Sequence, residues 1–90
     1  MKFRQIEIRY TSAFLKSLRK FPKSQVKFLS QKEKIFRKDP FDARLKTHKL
    51  KGELADFWAF SISYHWRVVF HFGSQETIIF DSIGTHEIYR

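Results

Sequence analysis

The sequence predicts an α+β domain. It comprises an N-terminal strand, an α-helical hairpin and a three-stranded antiparallel meander, joined in one sheet with the helices on one face. Two observations predict this. Apolar residues alternate with other residues in runs at 3–10, 57–64 and 65–72, which is the period of a strand. Between the first two runs lie two stripes of apolar residues at helical spacing. One strand, two helices and then closely spaced strands is the order expected when helices gather on one side of a largely antiparallel sheet. The whole chain, residues 1–90, is read as a single domain.

The first strand, 3–10, puts Ile6, Ile8 and Tyr10 on one side. Thr11-Ser12 then offers a hydroxyl cap for the first helix, whose apolar stripe is Phe14, Leu15, Leu18 and Phe21. Pro22 ends that helix and suits the start of the next. Phe28, Leu29, Ile35 and Phe36 form the second stripe, with Lys27, Lys32, Lys34, Arg37 and Lys38 around the other side. Asp39-Pro40 stops it, because proline disfavours helical backbone in the residue before it.

Residues 41–52 read as a basic connector carrying Arg44, Lys46, His48, Lys49 and Lys51. The strand at 57–64 places Trp58, Phe60, Ile62 and Tyr64 on one face. The next, 65–72, places Trp66, Val68, Phe70 and Phe72 on one face and His65, Arg67, Val69 and His71 on the other. Gly73-Ser74-Gln75 supplies a hairpin turn, and 77–83 is the last strand. Residues 84–90 read as one turn of helix or an extended tail. The helices need an apolar surface to cover, and the Trp66/Val68/Phe70/Phe72 face supplies it. Arg67 and His71 are then expected on the opposite, open face.

Aromatic residues make up 18% of the chain, which argues for a packed core and against disorder. Eighteen Lys and Arg stand against nine Asp and Glu, a net charge of +9. That excess points to a polyanionic partner such as nucleic acid or the ribosome, to an acidic protein, or simply to solubility. Cysteine is absent, which excludes disulfides and Cys-based metal sites. Four scattered histidines do not make a metal-ligand set, so no metal or other cofactor is expected. The N-terminal residues have no apolar signal core and no run reaches membrane-spanning length. A cytoplasmic location without membrane contact is expected.

Cleavage of RNA by its own 2′-hydroxyl needs proton transfer at two oxygens and positive charge on the phosphate. Histidine titrates near neutrality, and arginine presents a fork of donors matching phosphate oxygens. The chain offers His86, Arg67 and Tyr89, and His48 flanked by Lys46, Lys49 and Lys51.

Three segments carry a resemblance: Leu45-Lys46-Thr47-His48-Lys49-Leu50-Lys51-Gly52 followed by Trp58, then Trp66-Arg67-Val68-Val69-Phe70, then Ile83-Gly84-Thr85-His86-Glu87-Ile88-Tyr89. Together they resemble the RelE/ParE superfamily of toxin–antitoxin toxins, and most of all the RelE-type, YafQ-like mRNA interferases. The resemblance spans essentially the whole chain. It implies a RelE-like fold and a type II toxin that enters the ribosomal A site and cuts translated mRNA without a metal. It also implies a cognate antitoxin, whose acidic, partly disordered segment would fold onto the open sheet face or the outer side of the helices.

By this resemblance His86 would be the general acid or the base; otherwise it closes a strand end. Arg67 would clamp the scissile phosphate; otherwise it pairs with a carboxylate such as Asp81. Tyr89 would stack on a base or orient the hydroxyl, or else simply pack. His48 would be the base or a substrate contact, or a surface histidine. Arg44, Lys46, Lys49 and Lys51 would touch the phosphate backbone of mRNA or ribosomal RNA.

The chain also departs from the family pattern. YafQ-like toxins carry a further histidine and an aspartate near the second strand of the meander region, where Ser61 and His65 stand here. They carry an arginine shortly before the Gly-Thr-His segment, where Ser82 stands. Arg67 would then supply the missing charge and His65 the missing acid–base group. The division of labour among His48, His65 and His86 stays open, and His71 reads as structural. Two other functions share the fold: a ParE-type toxin that inhibits DNA gyrase, and an inactive RNA- or ribosome-binding relative.

Overall fold

Strand β1 (Glu7–Tyr10) lies at one edge of the sheet. A computed structural model describes residues 6–85 of the chain, so residues 3–5 of the expected first strand lie outside the described residues. Thr11 leaves the strand in extended conformation, and its Oγ1 accepts a 2.9 Å hydrogen bond from the Phe14 amide. This is the expected N-cap of helix α1 (Ser12–Arg19). Pro22 is extended and leads through a 3-10 turn at Lys23–Gln25 into helix α2 (Val26–Lys38). Asp39 is extended ahead of Pro40, so the stop signal acts as expected.

The connector is not free of structure. Asp42 caps a 3-10 turn at Ala43–Leu45, and Lys46 ends it in left-handed backbone, which turns the chain toward the sheet. His48–Lys49 then adds a two-residue strand, β2, along the edge of β3 (Trp58–Ser61). A third 3-10 turn, Gly52–Leu54, separates the two. β3 is shorter than the expected 57–64, because residues 62–65 make the reversal into β4 (Trp66–Phe72). The amides of Ile62 and Ser63 both donate to the Trp66 carbonyl, at 2.9 and 3.5 Å. The last strand, β5 (Thr77–Thr85), runs two residues beyond its expected end. Gly84 and Thr85 pair with Arg67 and Trp66, so they belong to the sheet and not to a tail.

The sheet order is β1-β5-β4-β3-β2. β3, β4 and β5 form the expected antiparallel meander. β1 pairs parallel with β5, from Glu7↔Thr77 to Tyr10↔Phe80, so the two helices form the crossover between distant strands.

Both helices cover the Val68/Phe70 face, as expected. Fully buried Phe36 stands at the centre, its ring 4.8 Å from Phe60, 5.0 Å from Phe70 and 5.3 Å from Phe80. Along β5 the core positions are Ile78, Phe80 and then Ile83, one residue off a strict alternation. A bulge absorbs the difference: Val69 pairs with Ser82 but Phe70 with Phe80, leaving Asp81 as the extra residue. Helix α1 clasps this irregular backbone. Thr11 N donates to Phe80 O, Thr11 Oγ1 to Asp81 O, and Ile83 N to Ser17 Oγ.

The opposite face carries Arg67 and His71, but it is only partly open. Leu50, Leu54 and Phe57 fold over Ala59 and Val69 as a second, smaller core. No helix among the described residues is long and apolar enough to cross a membrane.

Candidate nucleic-acid interface

A cleft of about 390 Å³ opens where α2, the connector and the β3–β4 reversal meet. Lys32, Arg44, Lys46, Ser61, Ser63, Tyr64 and Arg67 line it. Four of these seven side chains are cations and none is an acid. A larger cavity of about 570 Å³ lies beside β1 and the β4–β5 turn, but Glu7 and Glu76 line it, and this suits a polyanion poorly.

Arg67 sits on β4 between Ser61 of β3 and Gly84 of β5. Its Nη1 donates to the carbonyls of Ser63, Tyr64 and Trp66 at 3.0, 3.1 and 3.2 Å. The guanidinium therefore holds the β3–β4 reversal together. The ion pair with Asp81 does not form; Asp81 binds His71 instead. Nη1 carries all the hydrogen bonds that Arg67's side chain makes among the described residues, so Nε and Nη2 keep donor capacity for a phosphate.

Arg44 is gripped from its own turn. Its Nε and Nη2 donate to the two carboxylate oxygens of Asp42 at 3.0 and 2.9 Å. The Arg44 side chain, and then its backbone amide, hold the Asp42 carboxyl at about 2, well below its ordinary value. Lys32 reaches from α2 to the Arg44 carbonyl at 3.0 Å and ties helix to connector. Lys46 is exposed and left-handed, with φ 53° and ψ 40°.

His48 projects from β2 on the same side as Ala59, its partner in β3, and this is the Arg67 side of the sheet. Its Nδ1 lies 3.1 Å from the Lys46 carbonyl. A carbonyl only accepts, so Nδ1 donates here, and in the neutral ring Nε2 is then the basic nitrogen. Lys49 alternates to the other side of β2, and neither Lys49 nor Lys51 lines the cleft. His65 is exposed in the reversal, its ring 4.7 Å from that of Tyr64. His86 and Tyr89 lie outside the described residues. The described chain ends at Thr85, paired with Trp66 beside this reversal.

Ser61, one of the departures from the family pattern, is buried directly across from Arg67. Ser82, another departure, lies across from Val69 on the same face. Among the described residues no group of three or more His, Asp or Glu is placed to hold a metal ion. Sequence reasoning missed Lys32, Ser63 and Tyr64 as members of the cleft. Lys32 is one of many outward lysines on α2, and only the packing of helix against connector distinguishes it.

Solved structures with this architecture include bacterial toxins. YafQ from E. coli strain BL21(DE3) is 20% identical with a TM-score of 0.67, covering 93% of this chain and 97% of that one. A YoeB/ParE toxin from Agrobacterium tumefaciens is 19% identical with a TM-score of 0.73, covering 90% and 99%. The E. coli DinJ–YafQ toxin–antitoxin complex matches at 18% identity and a TM-score of 0.63, covering 93% and 96%. At such identities the likeness establishes the fold, which is that of the RelE-like toxins. No curated protein matches the chain by sequence at a significant level. The family described as the bacterial toxin of type II toxin–antitoxin systems, YafQ, matches residues 6–89, and the chain belongs to that family.

Proposed function

We propose that this toxin is a ribosome-dependent, metal-independent endoribonuclease that cuts translated mRNA in the A site. The observation that carries the reading is the acid-free cleft of Lys32, Arg44, Lys46 and Arg67, in a chain of the YafQ family. In this reading Arg67 and Lys46 hold the scissile phosphate and offset the charge that builds on it. His48 takes the proton of the 2′-hydroxyl. The 2′-oxygen bonds to phosphorus, the bond from phosphorus to the 5′-oxygen breaks, and His86 protonates that leaving oxygen. The products are a 2′,3′-cyclic phosphate and a 5′-hydroxyl. His65 stands on the reversal as a second proton carrier, and Tyr89 orients the substrate. Arg44, Lys49 and Lys51 meet the backbone of mRNA or ribosomal RNA. A cognate antitoxin, acidic where it meets the cleft, completes the system; the DinJ–YafQ pair supports that expectation.

The serines at positions 61 and 82 favour one second reading, a relative that binds RNA or ribosomes without cutting. Primer extension on a defined mRNA in a reconstituted translation reaction separates the two. New ends that need ribosomes, and vanish in His86→Ala and Arg67→Ala, are expected. A folded wild-type chain that binds ribosomes and leaves the message intact overturns the nuclease reading. Inhibited gyrase supercoiling in place of cleavage identifies the ParE-type activity instead.

A further inference from the structure

We propose that Tyr64 is a base-stacking residue that positions a nucleobase of single-stranded RNA at the rim of the cleft, an inference that rests on the reading of this chain as an RNA-acting toxin. Tyr64 is 86% exposed, whereas the next most exposed large hydrophobic side chain among the described residues, Val26, is 48% exposed. An aromatic ring left so far in water is unusual beside the cluster of Phe36, Phe60, Phe70 and Phe80, whose rings pack against one another.

The backbone beneath the ring is held firmly. Arg67 Nη1 binds the carbonyls of both Ser63 and Tyr64, and Ile62 N closes the reversal onto Trp66 O. Ser63 Oγ donates to Gln25 Oε1 at 2.7 Å, which anchors the reversal to the start of α2. The His65 ring meets Tyr64 at 74°, an edge contact that supports it from the side. Little ordering is left for the moment of binding.

Tyr64 also lines the cleft with Lys32, Arg44, Lys46 and Arg67. Single-stranded RNA carries a flat base one sugar away from each phosphate, so cations and an exposed ring side by side match both parts of one nucleotide. An acidic peptide would satisfy the cations but supplies no flat partner for the ring. Stacking on an aromatic tolerates any base, so Tyr64 sets position and not sequence. It also needs no phenol hydroxyl, so phenylalanine at this position serves equally.

The test uses the full chain and a short single-stranded RNA carrying 2-aminopurine, whose fluorescence is quenched on stacking, alongside the primer-extension reaction. Wild type and Tyr64→Phe quench the probe and bind alike. Tyr64→Ala keeps its Tm, loses the quenching and binds about 5- to 150-fold more weakly. A Tyr64→Ala chain that binds and cleaves like wild type overturns the proposal and leaves the nuclease reading standing. Quenching that depends on Tyr64 in a chain that cleaves nothing upholds the stacking and overturns the nuclease reading. A folded wild type that fails to quench the probe overturns the proposal. So does a Tyr64→Ala chain that loses only its protein antitoxin, because the ring then anchors a protein.

Discussion

His71 Nδ1 and Asp81 Oδ2 lie 2.7 Å apart across β4 and β5, and Asp81 is the bulged residue of the pair. The bulge is thus held from both sides, by His71 through the side chain and by Thr11 Oγ1 through the Asp81 carbonyl. Its purpose in the fold is visible in Ile83, which returns to the helix-covered face only because one extra residue is spent at Asp81. Asp81→Ala is expected to lower stability by about 1 kcal/mol, or about 4–8 °C in Tm. Thermal unfolding measures it, and an unchanged Tm would mean that the pair contributes nothing.

Lys46 combines a place in the cleft with backbone strain. It holds left-handed backbone, φ 53°, at the lip of the cleft. That conformation costs a non-glycine residue about 1–2 kcal/mol. Lys46→Gly removes the cost but orders a freer residue, so the net gain in stability is up to about 1 kcal/mol. It also removes a cation, so RNA binding should weaken and the slope of log K against log salt should fall by about 1. Urea unfolding and salt-dependent binding read the two effects apart. Loss of both stability and affinity would contradict the strain argument.

Asp42 restrains a cleft cation. Its carboxylate neutralises Arg44, so Asp42→Asn should tighten RNA binding. The same pair sets an acid dependence. The folded pKa is about 2 against an ordinary 3.8, so the stabilisation is complete above the ordinary value and fades as pH falls toward about 2. Wild type should lose more stability across that window than Asp42→Asn does. Equal acid limbs for the two chains would discount the pair.

Tyr10 is expected to contribute to the alkaline limb. Burial, and then the 2.7 Å bond to Glu33 Oε2, raise its phenol above the ordinary 10.0. A raised folded value means that stability is present below the unfolded value and is lost as pH climbs past it. The bond ties β1 to α2, so Tyr10→Phe should melt lower at neutral pH and show a shallower loss above pH 10.0. Tm measured on both sides of that value provides the check, and parallel curves would exclude Tyr10 as the titrating group.

Much of this architecture is local chemistry, and local chemistry can be read along the chain. Thr11 caps α1 because a hydroxyl just ahead of an apolar helical stripe satisfies an otherwise unpaired amide. Asp39 ends α2 because Pro40 forbids it a helical backbone. The alternation of 66–72 already separated Val68 and Phe70 from Arg67 and His71, since a strand gives no other choice. Family membership was equally legible, from the connector, the Trp66–Phe70 run and the Gly-Thr-His segment.

The rest depended on contacts between residues far apart in sequence. The parallel pairing of β1 with β5 joins residues about 70 positions apart, and no local pattern encodes which edge a strand will join. The bulge at Asp81 arises from a compromise between the β4 register and the helix-facing demand of Ile83. The cleft gathers Lys32, Arg44, Lys46, Tyr64 and Arg67 from three separate parts of the chain. Side-chain type and period follow from short-range sterics and burial, which each residue carries with it. Partner choice is a competition among distant contacts, and only the closed tertiary structure resolves it.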